Sequence, residues 1–330
     1  MAITLAQAKV GMSDKVVQQV IDEFRRNSLL LDAMTFDDAV SPGTGGSTLT
    51  YGYVRTLTPG QAQFRALNSE YTPQEAAREP KTVNLKIFGG SFEIDRVIAE
   101  TAGAVDEVQY QMNEKIKAAS NLFHYTAING DSAVDTNAFD GLDKALVGSD
   151  TEIGADTHID LSDSTALDSN YKTFLDLLDS FLAELDGIPT MLMGNSKLIT
   201  KLKAVARRAG YLTQAEDAFG KGITGYDNIP LVDLGMFVND SGIAVPTVPI
   251  VDDRTPNGVD TVTGLSDLYA VRLGIDGFHG VTVTGNKMIT ANPPILSGPG
   301  VVKTGDVEMV AAVALKKTRA AGVLRNIKIS

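Results

Sequence analysis

The chain has 330 residues, 43% of them hydrophobic and 21% charged, so it can bury an ordinary core as one domain with insertions or as two domains. It has no cysteine, which excludes disulfides, thiolate nucleophiles and zinc–cysteine sites. A formal net charge of -12 argues against broad, non-specific DNA binding, because phosphate neutralisation needs positive charge.

The acidity is uneven. Between 131 and 186, Asp and Glu far outnumber Lys144 and Lys172, whereas from 301 to 330 the cations Lys303, Lys316, Lys317, Arg319, Arg325 and Lys328 face only Asp306 and Glu308. The acidic stretch suits a surface that does not hold nucleic acid, and equally a solvated face that aids solubility. Residues 1–15 lack the basic opening and apolar core of a secretion signal, and the longest apolar run, 309–315, is too short to span a bilayer. The expectation is a soluble protein made in a cytoplasm, without a membrane partner.

In chain order, Ser13 reads as the N-cap of a helix bearing Val16, Val17, Val20, Ile21 and Phe24, fading near Leu31. The Pro- and Gly-rich stretch 41–46 breaks the chain. Residues 47–56 and 81–95 read as two strands of a long hairpin, the second bent at Gly89-Gly90. Its tip, 57–80, is rich in Pro, Gly, Gln and charges. A two-stranded ribbon is marginal in water alone, so a neighbouring subunit is its expected cover.

Residues 103–129 carry the clearest helix, with Val105, Val108, Met112, Ile116, Ala119, Phe123 and Ala127 on one face and Gly130 ending it. A second unit begins near Tyr171 with a helix bearing Phe174, Leu178 and Phe181. A short strand follows at 188–193, then a helix capped by Asn195 or Ser196 and ended by Gly210. Strands are expected over 229–234, 243–251, 268–273 and 281–283, which makes the unit α+β. Two closing strands, 307–315 and 322–329, are expected to return to the first unit and pair near the long helix.

The motifs of chemistry are weak. The run from Gly220 to Gly225 matches a dinucleotide glycine fingerprint, but a strand, not a helix, is expected after it. The run from Gly298 to Thr304 echoes a phosphate loop without the glycine before lysine. His124, His158 and His279 have no metal-ligand spacing, and His124 is expected packed or capped beside the apolar stripe. The acidic stretch 150–163 lacks calcium-loop spacing. No catalytic residue, cofactor or metal is therefore expected.

The order of these parts resembles the Hong Kong 97 fold of tailed-bacteriophage major capsid proteins. The matching parts are an N-terminal arm (1–46), an extended hairpin loop (47–95), a peripheral domain with a spine helix (96–170), an axial domain (171–290) and a C-terminal return (291–330). The most telling stretch runs Gly187-Ile188-Pro189-Thr190-Met191-Leu192-Met193-Gly194-Asn195, then the helix with Leu198 and Leu202, then Gly210-Tyr211-Leu212. Gly225, then Ile229-Pro230-Leu231-Val232, and Leu268-Tyr269-Ala270-Val271 continue it.

The resemblance implies a shell subunit, not an enzyme, that forms pentamers and hexamers around double-stranded viral DNA, in a virion assembled in the host cytoplasm. A portal is an implied partner, and decoration proteins are a further one. An encapsulin-type nanocompartment shell shares the fold and is the alternative; a nicotinamide-dependent oxidoreductase using Gly220 to Gly225 is the reading from another class. The expected inter-subunit contacts are Arg55, Arg65, Glu70, Glu75, Arg78 and Glu79 on the hairpin and Phe24 on the arm. The family's long helical scaffolding extension has no counterpart here, and no residue matches its lysine–asparagine cross-link. A separate scaffolding protein is therefore expected, touching the basic C-terminal segment or the mixed-charge arm.

Overall fold

The computed structural model describes residues 29–40, 49–101, 106–210, 213–216, 222–239, 242–283 and 289–330. The arm helix with Phe24 lies outside them. The first half holds α1 (Leu29–Ala33), β1 (Phe36–Val40), β2 (Thr50–Thr58), β3 (Ala77–Asn84), β4 (Lys86–Asp95), α2 (Arg96–Thr101), α3 (Glu107–Asn129), α4 (Leu142–Leu146), β5 (Glu152–Ile153) and β6 (Ile159–Asp160). Next come α5 (Ser164–Ala183), β7 (Met191–Gly194), α6 (Ser196–Ala209), β8 (Thr213–Glu216), β9 (Gly222–Tyr226), β10 (Ile229–Asp233), β11 (Met236–Val238) and β12 (Ala244–Pro246). The last strands are β13 (Leu265–Val271), β14 (Phe278–Val283), β15 (Ile289–Asn292), β16 (Val302–Leu315) and β17 (Ala321–Lys328).

The hairpin differs from its sequence reading. β2 pairs with β3, but the second arm does not run on as one strand. It breaks at buried Leu85, whose amide donates to the Leu49 carbonyl. Beyond it, β4 leaves the hairpin and pairs along β16, from Asp95 opposite Val302 to Lys86 opposite Ala311. Gly89 is not the bend. It lets β16 come close, since a Cβ there would meet the Val307 carbonyl oxygen at 1.9 Å.

The spine helix α3 has Asp106 as N-cap, accepting from the amides of Val108 and Gln109, and stops at Gly130. At about 1.5 Å per residue its 23 residues span roughly 35 Å. It lies against β4 and β16, and its inner face, Ala119, Phe123 and Ala127, joins a core with Val281, Met309 and Ala311.

Two strands sit where the sequence reading did not put them. β14 leaves the second unit and joins β1, β16, β15 and β4 in a five-stranded sheet. β17 does not return to the spine helix but pairs antiparallel with β13 in an eight-stranded sheet, while β16 keeps the expected place. The reason is that β13 is buried on both faces. Tyr269 and Val271 point into the spine-helix core, Leu268 and Ala270 into a second core under α5 and α6. A strand so placed needs neighbours on both edges, and its apolar run carries no signal of which ones. The helix expected from Tyr171 begins at Ser164, capped by Asp163, because Leu167 adds a further apolar turn. Asn195 caps α6 and Gly210, at φ 77°, ends it as expected.

His124 on α3 is packed, not capped. It is 6% exposed, its Nε2 has no hydrogen-bond partner among the described residues, and burial pushes its pKa down to about 4. Because the folded value lies below the ordinary 6.5, its contribution to stability is full above 6.5 and is lost as pH falls towards 4. At about 1.4 kcal/mol per unit this amounts to roughly 3 kcal/mol. Urea unfolding at pH 7 and pH 4 should therefore show a larger acid loss for the wild type than for His124→Leu. Equal losses would mean that the imidazole is solvated in the native state.

Candidate assembly interface

The hairpin has a fixed root and a free tip. At the root the Tyr51 hydroxyl donates to Asp37 at 2.7 Å, and the Tyr53 hydroxyl donates to the Leu315 carbonyl at 3.0 Å. Arg55 donates Nε to the Lys316 carbonyl and Nη2 to that of Leu315. The Lys316 ammonium lies over the Tyr51 ring, and His279 meets that ring edge-on. Burial and the Asp37 carboxylate hold the Tyr51 phenol well above its ordinary pKa, while burial and Lys316 lower that of His279. Both rings are therefore neutral at neutral pH, and the root stays the same across that range.

Beyond Thr56 every side chain up to Arg78 is exposed. Among them Phe64 is 106% and Leu67 90% exposed, and Leu57 and Tyr71 are also uncovered. Large apolar groups grouped on a protruding polar loop mark a surface that is covered by something else. These were missed in the sequence reading, which weighed the tip's charges. The available signal was Phe64 and Leu67 standing in a segment rich in Pro, Gly, Gln and charges.

The sequence-derived contact residues that the structure describes fall into three groups. Arg55 is at the root and is spent on the carbonyls of Leu315 and Lys316. Arg65 covers the Tyr71 ring and donates to the carbonyls of Ala66 and Ser69, so it shapes the tip. Glu70, Glu75 and Arg78 are exposed on the tip and its edge, and Glu79 pairs with Lys81 at 2.7 Å. Phe24 lies outside the described residues.

The basic C-terminal segment is neutralised within the chain. Lys316 faces Asp37, Lys317 pairs with Asp186 at 2.6 Å, Arg319 lies near Asp150 and Glu184, and Lys328 near Asp160. Lys303 is buried and donates to the carbonyls of Gly298 and Pro299, so the phosphate-loop echo closes on its own lysine. Of the glycine fingerprint, 220 and 221 lie outside the described residues. The rest is strand β9, which turns at Asp227-Asn228 into β10, so no helix N-terminus follows to meet a pyrophosphate.

No family model matches the sequence, and no curated protein matches it either. The similarity lies in three dimensions. The holo-SrpI encapsulin complex from Synechococcus elongatus PCC 7942 aligns with a TM-score of 0.62 at 13% identity, covering 100% of this chain and 98% of that one. Mycobacterium phage Adephagia aligns at 0.57 and 11% identity over 100% of this chain and 99% of that one. The capsid of the native GTA particle aligns at 0.55 and 12% identity over 98% of this chain and all of that one. The chain has the Hong Kong 97 fold. In this α+β fold one half is the five-stranded sheet with α3 and the other is the eight-stranded sheet with α5 and α6.

Proposed function

We propose that this chain is the major capsid protein of a tailed bacteriophage, a non-enzymatic shell subunit that closes into pentamers and hexamers around double-stranded DNA. The observation that carries this is the hairpin, rigid at its root and apolar at an uncovered tip. Such a tip is costly on a monomer and useful on a tile, because arms that reach over neighbours add contacts whose sum grows strong once linked. The solved phage and GTA capsids of the same fold support it. The chain divides as arm, hairpin loop, peripheral domain, axial domain and C-terminal return, with β14 serving the peripheral half and β17 the axial one.

The shell is assembled in the host cytoplasm, with a separate scaffolding protein to set its curvature and a portal at one vertex. Decoration proteins are a further partner. Since the C-terminal cations are already paired, an electrostatic scaffold contact falls to other surfaces. The encapsulin alignment carries the second reading, a nanocompartment that encloses protein cargo. Electron microscopy of the purified protein, with and without its neighbouring genes, tests both. Closed shells holding nuclease-protected DNA are expected. Shells holding an enzyme in place of DNA would favour the compartment, and a persistent small monomer would sink both.

A further inference from the structure

The half built on the eight-stranded sheet holds a cleft of about 440 Å³ between α5, β17 and the segment that leads into β6. Small-molecule sites have volumes of roughly 300–1,000 Å³. Helix α5 contributes Asn170, Thr173 and Leu177, which share one face because they lie three and four positions apart. The segment before β6 contributes Thr157 and His158, β6 contributes Ile159 and Asp160, and β17 contributes Arg325. Two features hold that segment in place. Gly154, at φ 78°, passes so close to β17 that a Cβ there would lie 3.0 Å from the Arg325 carbonyl oxygen. The Asn326 side chain donates to the carbonyls of Gly154 and Ala155, each at 2.9 Å.

The charges on the cleft wall are already met within the chain. Arg325 donates Nε to Glu152 and Nη1 to Asp143 and Asp267. With Arg254 on Asp267, that cluster sets three carboxylates against two guanidiniums, so an entering anion gains little from it. Asp160 accepts from the amide and hydroxyl of Ser162 on Oδ1 and faces Lys328 at 3.4 Å with Oδ2, so an entering cation finds that carboxylate occupied. The unmet groups are of another kind. Arg325, 9% exposed, keeps Nη2 without a hydrogen bond among the described residues. Asn170 spends Nδ2 on the Asp160 carbonyl at 2.9 Å and leaves Oδ1 without a donor among them. The hydroxyls of Thr157 and Thr173 and the His158 ring have no side-chain hydrogen bond among the described residues either. Donors and acceptors thus alternate around a wall whose apolar part is Ile159 and Leu177.

We propose that this cleft binds an uncharged pyranose sugar. Each sugar hydroxyl both donates and accepts, which matches a wall of guanidinium, amide oxygen, hydroxyl and imidazole groups. The C–H face of the ring packs on Ile159 and Leu177. A charged ligand of the same size loses hydration without finding a free counter-charge, so it binds less well. The cleft forms within one copy of the chain, so the inference does not rest on the shell reading.

Titration calorimetry and saturation-transfer NMR on the full chain test it, both as purified and as free subunits. The probes are glucose, galactose and N-acetylglucosamine, with glucuronate and glucosamine as the anionic and cationic forms of the same ring. At least one uncharged sugar should bind in the millimolar range and more tightly than either charged form. Thr173 is exposed, so Thr173→Phe fills the cleft without touching the core and should abolish binding with the circular dichroism unchanged. Thr157→Val with Thr173→Val removes two hydroxyls at nearly constant shape and should weaken binding roughly tenfold. Absence of binding by every uncharged sugar in both forms of the chain would overturn the proposal. So would tighter binding of glucuronate or glucosamine, which would make the cleft an ion site, or unchanged binding in the folded Thr173→Phe chain, which would place the sugar elsewhere.

Discussion

Replacing Phe64 and Leu67 by serine should abolish shell assembly while leaving the subunit as stable as before. Fully burying a side chain of this size contributes about 1.5–3 kcal/mol, so the pair is worth roughly 4 kcal/mol at each contact. That is about a thousandfold in affinity, repeated at every subunit of a closed shell. The tip's charges cannot match it, since exposed ion pairs contribute about 0–1 kcal/mol. Because neither side chain touches the core, folding stability should change by no more than about 0.5 kcal/mol. Size-exclusion chromatography with electron microscopy reads assembly, and urea unfolding reads stability. Normal shells from the double variant would show that the tip is not a contact. Loss of the cooperative transition would place it in the core. Removing 59–76 altogether should behave as the double variant does, because shortening a loop changes closure entropy little.

The second large effect is expected at Arg325. Its side chain is 9% exposed and donates to Glu152 at 2.7 Å, to Asp143 at 2.5 Å and to Asp267 at 3.1 Å. Asp267, more deeply buried, also takes both guanidinium nitrogens of Arg254 and the Asn326 amide. Tyr269 donates to Asp143 at 2.7 Å. Burial works against the Arg325 cation, but Asp143 and Asp267 outweigh it and hold its pKa above the ordinary guanidinium value. Burial and the same carboxylates push the Tyr269 phenol well up. Arg325→Met would leave Glu152 and Asp143 without their cation. Removing one partner of a buried pair costs about 3–5 kcal/mol, mostly as the penalty of the charge left behind. The unfolding free energy should fall by that amount, read in urea as a lower midpoint with an unchanged slope. A loss below about 1 kcal/mol would mean that water reaches the carboxylates in the native state.

This network also explains why much of the half built on the eight-stranded sheet could not be read from the chain. Its members come from α4, β5, the segment before β13, β13 itself and β17. In the sequence Arg325 was one of six C-terminal cations, with nothing to separate it from Lys317 or Arg319. Burial alone distinguishes them, and burial depends on which strands become neighbours.

The sequence by itself determined the local elements. The spine helix with its stop at Gly130, helix α6 between Asn195 and Gly210, and a hairpin with a polar tip follow from side-chain period, capping and breaker residues, which act within a few positions of one another. Their order was enough to suggest the fold. Only the tertiary structure decided that the hairpin arm breaks at Leu85, that β14 and β17 exchange halves, and that Phe64 and Leu67 stand uncovered beside the tip charges. Strand pairing joins residues far apart in the chain, and a strand buried on both faces looks the same whatever lies beside it. Exposure is likewise set by what the rest of the fold leaves uncovered.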